Sequence, residues 1–176
     1  MNRSLLWSIV AVVGVIIVAI VAPLFMTGAP HPAGPAGLAG ENAPIVALRD
    51  DSGAAASLER YRGKVVVMNL WATWCPPCRA EMPELQRFAD TYGARGVVVV
   101  GVNQGESAQR ARAFATALKI RFPIWLDDRQ EYGRAFAALG LPTTVVVGRD
   151  GVVAGGYDGA LTLSQMRAAV AGLVAH

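Results

Sequence analysis

Three stretches of the chain are apolar without interruption and rich in β-branched side chains: Val65–Trp71 (VVVMNLW), Val97–Val102 (VVVVGV) and Thr143–Gly148 (TTVVVG). Runs of this kind predict strands covered on both faces. Between the first two, PPCRAEMPELQRFADTYGARG mixes polar and apolar positions at helical spacing. It predicts a helix from Pro76, with Gly93 and Gly96 as stop signals. Ser107–Leu118 predicts a second helix, with Glu106 near its start. Ile124–Leu126 predicts a short strand, and Glu131–Leu139 a short helix ended by Gly140. Gly148-Arg149-Asp150-Gly151 turns the third strand back into VVAGGY as an antiparallel hairpin, and Leu161–Val174 predicts a closing helix. The order βαβ, then αβα, then ββα predicts a small α/β sandwich.

A fourth apolar stretch has a different character. Leu5–Met26 is 22 residues without a charge, roughly 33 Å as a helix against a hydrocarbon core of about 30 Å. The apolar region of a cleaved signal peptide usually runs about 7–15 residues. Pro30 also follows the best small-residue cleavage site, Thr27-Gly28-Ala29, and is a poor residue there. A buried core helix would show a polar face, which this run lacks. The expectation is an uncleaved transmembrane anchor over residues 5–26, with residues 1–4, including Arg3, in the cytoplasm by the positive-inside rule. Residues 27–43 (TGAPHPAGPAGLAGENA) form a Pro/Gly/Ala linker that reaches about 50 Å when extended. Residues 44–176 are the folded domain, facing the periplasm or extracytoplasmic space. It is large enough for one core.

Composition then removes function classes. Charged residues are 16% and hydrophobic residues 53% of the chain, which excludes a disordered polyampholyte. The net charge is +3, and the basic residues are scattered singly, so no nucleic-acid stripe is built. The two histidines are His31, inside the linker, and the terminal His176. No Ser-His-Asp triad, Cys-His dyad or histidine metal site can be assembled in the domain from them. The two cysteines are Cys75 and Cys78, so there is no structural disulfide framework and no four-cysteine zinc site.

That pair sits in WCPPC, Trp74–Cys78, where the first buried strand ends and the first long helix begins. Cys-x-x-Cys beside a βαβ pattern is a redox signature. Cys75 falls at the helix N-terminus, where free N–H groups and the dipole stabilise a thiolate. Lowering a thiol pKa from ~8.5 to ~7 raises its ionised fraction at pH 7 from about 3% to about half. Pro76 and Pro77 suit a first turn, whose N–H groups have no helical acceptor. Cys78, one turn on, can attack a mixed disulfide held on Cys75. Inert buried cysteines and a two-thiolate Cu(I) site are the competing readings, though no Met or His flanks the pair to complete a copper site.

VVVMNLWATWCPPCRAEMPEL together with GLPTTVVVGRDG resembles the TlpA/ResA/CcmG branch of the thioredoxin superfamily, over about residues 44 to 173. The resemblance implies a thioredoxin-like fold with a central αβ insertion, and a membrane-anchored, extracytoplasmic thiol-disulfide oxidoreductase without cofactor or metal. It makes Cys75 the attacking thiol and Cys78 the resolving one, joined as a redox-active disulfide. Pro142 matches the family's cis-proline, so Trp74, Pro76, Leu141, Pro142 and Thr143 are the expected client-binding residues. Trp71 and Trp74 are expected to pack around the site, and Arg79 and Glu84 to lie on the surface.

Cytoplasmic thioredoxin has a buried Asp where this chain has Asn69, which cannot exchange a proton. Glu81, three residues after Cys78, matches an active-site Glu of ResA-like members and is the expected proton carrier. The competing reading of Glu81 is an acid favoured by the helix dipole. Pro83 is expected to kink the helix. The usual client implied is the haem-binding Cys-x-x-Cys-His of apocytochrome c, with a DsbD/CcdA-like membrane thiol transporter as electron donor. Alternatives are reduction of copper-chaperone or oxidase copper-site cysteines, and a non-enzymatic Cu(I)-binding module. The acidic insertion of CcmG proteins is not evident here.

Overall fold

A computed structural model describes residues 38–174. The expected anchor, cytoplasmic N-terminus and most of the expected linker lie outside these residues, as do both histidines. Among the described residues no helix is long and apolar enough to cross a membrane.

Seven strands form one sheet: β1 (Leu48–Asp50), β2 (Ala55–Ala56), β3 (Val65–Trp71), β4 (Val97–Gln104), β5 (Ile124–Asp127), β6 (Thr143–Val147) and β7 (Val153–Asp158). Their spatial order is β2-β1-β5-β4-β3-β6-β7. β3, β4 and β5 run parallel, while β6, β7, β1 and β2 pair antiparallel with their neighbours. The helices are α1 (Pro76–Tyr92), α2 (Ala108–Ala117), α3 (Glu131–Ala135) and α4 (Leu163–Val170).

β3 is central and every residue of it is buried. Its side chains alternate between two apolar layers, as the period of a strand requires. Val65, Val67 and Trp71 join Met82, Leu85 and Phe88 of α1, Ala111 of α2 and Met166 of α4. Val66, Met68 and Leu70 join Val145, Trp125, Tyr132 and Phe136 on the opposite side. The continuous apolar runs in the sequence are therefore strands with a layer on each face.

The expected elements are present with altered limits. β4 runs on to Gln104. α3 ends at Ala135, and Ala137, in the left-handed region at φ 49°, stops any continuation toward Leu139. α4 begins at Leu163 because Thr162 and Gln165 close a capping box there. The β1–β2 hairpin and a 3-10 turn at Leu58–Tyr61 were not expected. Strands of two and three residues are too short to show a period. Residues 40–43, within the stretch read as linker, lie beside the β6–β7 turn. Gly40 N–H donates to Val153 O and Ala43 N–H to Gly151 O, each at 2.9 Å.

Gly101 sits in the middle of the sheet between Asn69 and Ile124. A Cβ there would stand 3.0 Å from Ile124 Cδ1, Phe122 Cε2 and Trp71 Nε1. Gly101→Ala is expected to destabilise the domain by about 1–3 kcal/mol through overpacking, read as a lower urea midpoint at constant slope. An unchanged midpoint would mean the layer has slack that these contacts deny.

Candidate active site

Cys75 and Cys78 are joined as a disulfide with S–S 2.00 Å at the junction of β3 and α1. Cys75 is the N-cap of α1, and Pro76 and Pro77 fill its first two helical positions. Neither proline has an N–H, so the first free amide is that of Cys78, which donates to Cys75 Sγ at 3.2 Å. No acidic residue occupies the first turn to oppose a negative sulfur. Both cysteines are buried in the oxidised form, Cys75 at the N-cap with 2% exposure and Cys78 one turn inside the helix with none.

The two tryptophans part company. Trp71 is buried and stacks on Phe114 at 5.4 Å, whereas Trp74 is 66% exposed. Trp71 packs into the layer beneath the site, while the β3–α1 loop turns Trp74 outward beside it. Arg79 is exposed as expected, yet its guanidinium lies 5.3 Å from the Phe114 ring. Glu84 is half-buried and paired with Arg87. Pro83 is exposed within α1, which continues through it to Tyr92.

Glu81 is buried one turn beyond Cys78. Its carboxylate accepts from Asn69 Nδ2 at 3.0 Å and from the Leu161 amide at 2.6 Å. Asn69 also donates to Thr144 Oγ1 at 3.0 Å, while its Oδ1 is buried without a partner. Burial raises the Glu81 pKa, and the bonds from Leu161 and Asn69 pull it down, for a balance of about 7. Three elements therefore meet at this carboxylate, which the helix dipole alone does not explain.

The Leu141–Pro142 bond is cis, and Pro142 is buried at the start of β6. Thr143 is buried as well, its hydroxyl 2.6 Å from Asp158 Oδ1 and 2.8 Å from Gly140 O. Its side chain is therefore turned into the fold. Trp74 and Leu141 share the walls of an open groove of about 440 Å³ with Gln104, Gln130, Arg134 and Leu139. Pro76 lies outside that lining, exposed on the first turn of α1.

One buried acid was not anticipated. Glu106 accepts from Thr73 N–H at 2.7 Å, Thr73 Oγ1 at 2.6 Å and Asn103 Nδ2 at 2.8 Å. Burial would raise its pKa, but the bonds from Thr73 and Asn103, with Arg110 nearby, outweigh this and lower it. In the sequence it resembles any acid at a helix start. The available signal was topological: parallel neighbours β3 and β4 pair Trp71 with Asn103, so the segments leaving their ends must meet. Among the described residues no group of three or more His, Cys, Asp or Glu is placed to hold a metal ion.

The sequence profile of the AhpC/TSA family matches residues 39–155. The chain belongs to this family. Within it, the chain is a thioredoxin-like thiol-disulfide oxidoreductase of the ResA type. It is 34% identical over 128 residues to the thiol-disulfide oxidoreductase ResA of Geobacillus thermodenitrificans, covering 73% of this chain and 74% of that protein. ResA of Bacillus subtilis is 33% identical over 127 residues, covering 72% and 71%. A solved structure of a putative thiol:disulfide interchange protein DsbE from Chlorobium tepidum superposes with a TM-score of 0.71 at 27% identity, covering 77% of this chain and 96% of that one. The thioredoxin-like fold and the resemblance to the ResA branch are thereby established.

The pKa of Glu81 sets a pH dependence. Its folded value, about 7, lies above the ordinary 4.5, so folding favours the protonated form. The resulting stabilisation is complete below about pH 4.5, declines as pH rises and is gone above about pH 7. Relative to Glu81→Gln, the oxidised wild type is expected to lose about 3 kcal/mol between about pH 4 and pH 8, measured by urea unfolding. A difference that stays flat with pH would show that Glu81 keeps an ordinary pKa.

Proposed function

We propose that the protein reduces disulfides of extracytoplasmic client proteins, with Cys75 as the attacking thiol and Cys78 as the resolving thiol. The observation that carries this reading is the arrangement of the pair: Cys75 is the N-cap, at a helix start whose first free amide points at its sulfur, and Cys78 lies one turn further in. In the reduced protein, Cys75 thiolate attacks one sulfur of the client disulfide, forming a mixed disulfide and releasing the client's other thiolate. Cys78 gives its proton to the Glu81 carboxylate, and its thiolate attacks Cys75 Sγ. The Cys75–Cys78 bond forms as the second client thiolate departs. Two electrons have passed to the client.

Glu81 suits the proton transfer because a carboxyl with a pKa of about 7 exchanges protons readily near neutrality. Asn69 cannot exchange a proton but can follow one. If its amide turns, Oδ1, which has no partner now, faces the protonated carboxyl. The groove beside Trp74 and Leu141 is the docking surface we assign to the client chain, next to the cis Leu141–Pro142 peptide.

The client we favour is apocytochrome c, through its haem-binding Cys-x-x-Cys-His. The names of the ResA and DsbE relatives support a thiol-disulfide exchange reaction, and the client class rests on the family resemblance. With two cysteines in the whole chain, no internal pair can reload the site. The electrons would come from a membrane dithiol transporter of the DsbD/CcdA kind. The uncharged run Leu5–Met26 supports anchoring in the cytoplasmic membrane with the domain outside it.

Trapping tests the division of labour. Cys78→Ser is expected to accumulate mixed disulfides on Cys75, and their capture under non-reducing conditions should recover c-type cytochrome precursors. Cys75→Ser should trap few partners. Equal trapping by both variants would refute the assigned roles, and copper proteins in place of cytochromes would replace the client.

A further inference from the structure

We infer that Glu106 is a positioning residue: by gripping Thr73 it fixes the loop that presents Cys75 to a client disulfide. The inference rests on the proposed exchange reaction and deepens it. Three residues, Ala72 to Trp74, separate the end of β3 from the N-cap Cys75. Within that loop a single main-chain bond, Cys75 N–H to Ala72 O at 3.2 Å, closes the turn. The remaining hold comes from outside, and it converges on Thr73.

All three polar groups of Thr73 are engaged. Its N–H and hydroxyl donate to the two different oxygens of the Glu106 carboxylate, at 2.7 and 2.6 Å. Its carbonyl accepts from Arg79 Nη1 at 3.4 Å. Two bonds from one residue to one carboxylate fix main chain and side-chain rotamer together. Glu106 is itself held by Asn103 Nδ2 at 2.8 Å, and Arg110 Nη1 stands 3.7 Å from its other oxygen. A carboxylate this buried is costly unless its oxygens are satisfied, and here three donors and a nearby cation satisfy them. The group stays ionised, so the grip stays closed at neutral pH.

Glu106 is not needed to start α2. Ser107 is the N-cap of that helix and its side chain accepts from Arg110 N–H. The carboxylate instead reaches back across the sheet end to the sulfur loop. α2 reinforces the same contact, since Phe114 stacks on Trp71 and lies under the Arg79 guanidinium. The αβ insertion thus has a chemical task, which is to hold the Cys75 loop from the side. If the loop loosens, Cys75 Sγ drifts from the Cys78 amide and loses the helix-terminal stabilisation of its thiolate.

Cys75 reports on this directly in a Cys78→Ser background, through the rate of iodoacetamide alkylation as a function of pH. Glu106→Ala is expected to slow alkylation at pH 7 by about tenfold and to move the alkylation profile to higher pH, as a thiol that loses its helix-terminal donors does. Glu106→Gln should restore at least half the parent rate. Its oxygen can accept from Thr73 N–H and Asn103, and its amide can donate to the Thr73 hydroxyl. Thr73→Val, nearly isosteric and lacking only the hydroxyl, should slow alkylation severalfold.

An unchanged or faster rate in Glu106→Ala, with only a lowered urea midpoint, would overturn the inference and leave Glu106 a structural acid. If Glu106→Ala does not fold, an unchanged rate in Thr73→Val overturns it instead. The reagent is small and needs no client. Failure to trap clients would therefore defeat the proposed function without touching this result, and an insensitive Cys75 in a protein that traps clients would do the reverse.

Discussion

The chemistry of this domain hangs from the end of one strand that cannot move. β3 is bonded along both edges, to β4 and β6, and covered on both faces. Its end delivers Cys75, through a three-residue loop, to the start of α1. Its alternation also forces Asn69 onto the same face as Val67 and Trp71, under α1. An amide buried there needs partners. Glu81 and Thr144 provide them, and Glu81 is drawn into the interior as a consequence.

Two buried carboxylates flank the sulfur pair with opposite balances of the same forces. Both lose hydration. Glu81 recovers two hydrogen bonds and no nearby cation, and burial prevails. Glu106 recovers three hydrogen bonds and the Arg110 guanidinium, and the bonds prevail. One is suited to taking up a proton near neutrality and the other to keeping its charge. The difference lies in donor count, in the cation beside Glu106 and in the deeper burial of Glu81.

The architecture was legible wherever an element was long and sealed. β3, β4, β6 and α1 follow from their apolar runs, their glycine stops and the two prolines after Cys75. The position of the sulfur pair follows from the same junction. What escaped was of two kinds. The β1–β2 hairpin and the true ends of α3 are too short for periodicity, and Ala137 adopts a left-handed backbone that nothing in its residue type announces. Glu106 and the outward turn of Trp74 depend on contacts between segments far apart in the chain. Thr73 and Glu106 are 33 positions apart, and only the register of β3 on β4 brings them together.

Residues 40–43 dock beside Gly151 and Val153, at the end of β6 farthest from Thr143 and the cis peptide. The chain therefore enters the domain at one pole and the reactive sulfur sits at the other, separated by the length of β3, roughly 23 Å at 3.3 Å per residue. Any leash attached upstream acts on a lever of that length. On such a leash the sulfur would sweep a wider volume than the leash alone would allow, and small rotations at the attachment point would become large excursions at Cys75. A tether at the reactive pole would hold the sulfur close to its attachment point; one attached at the opposite pole would send it outward.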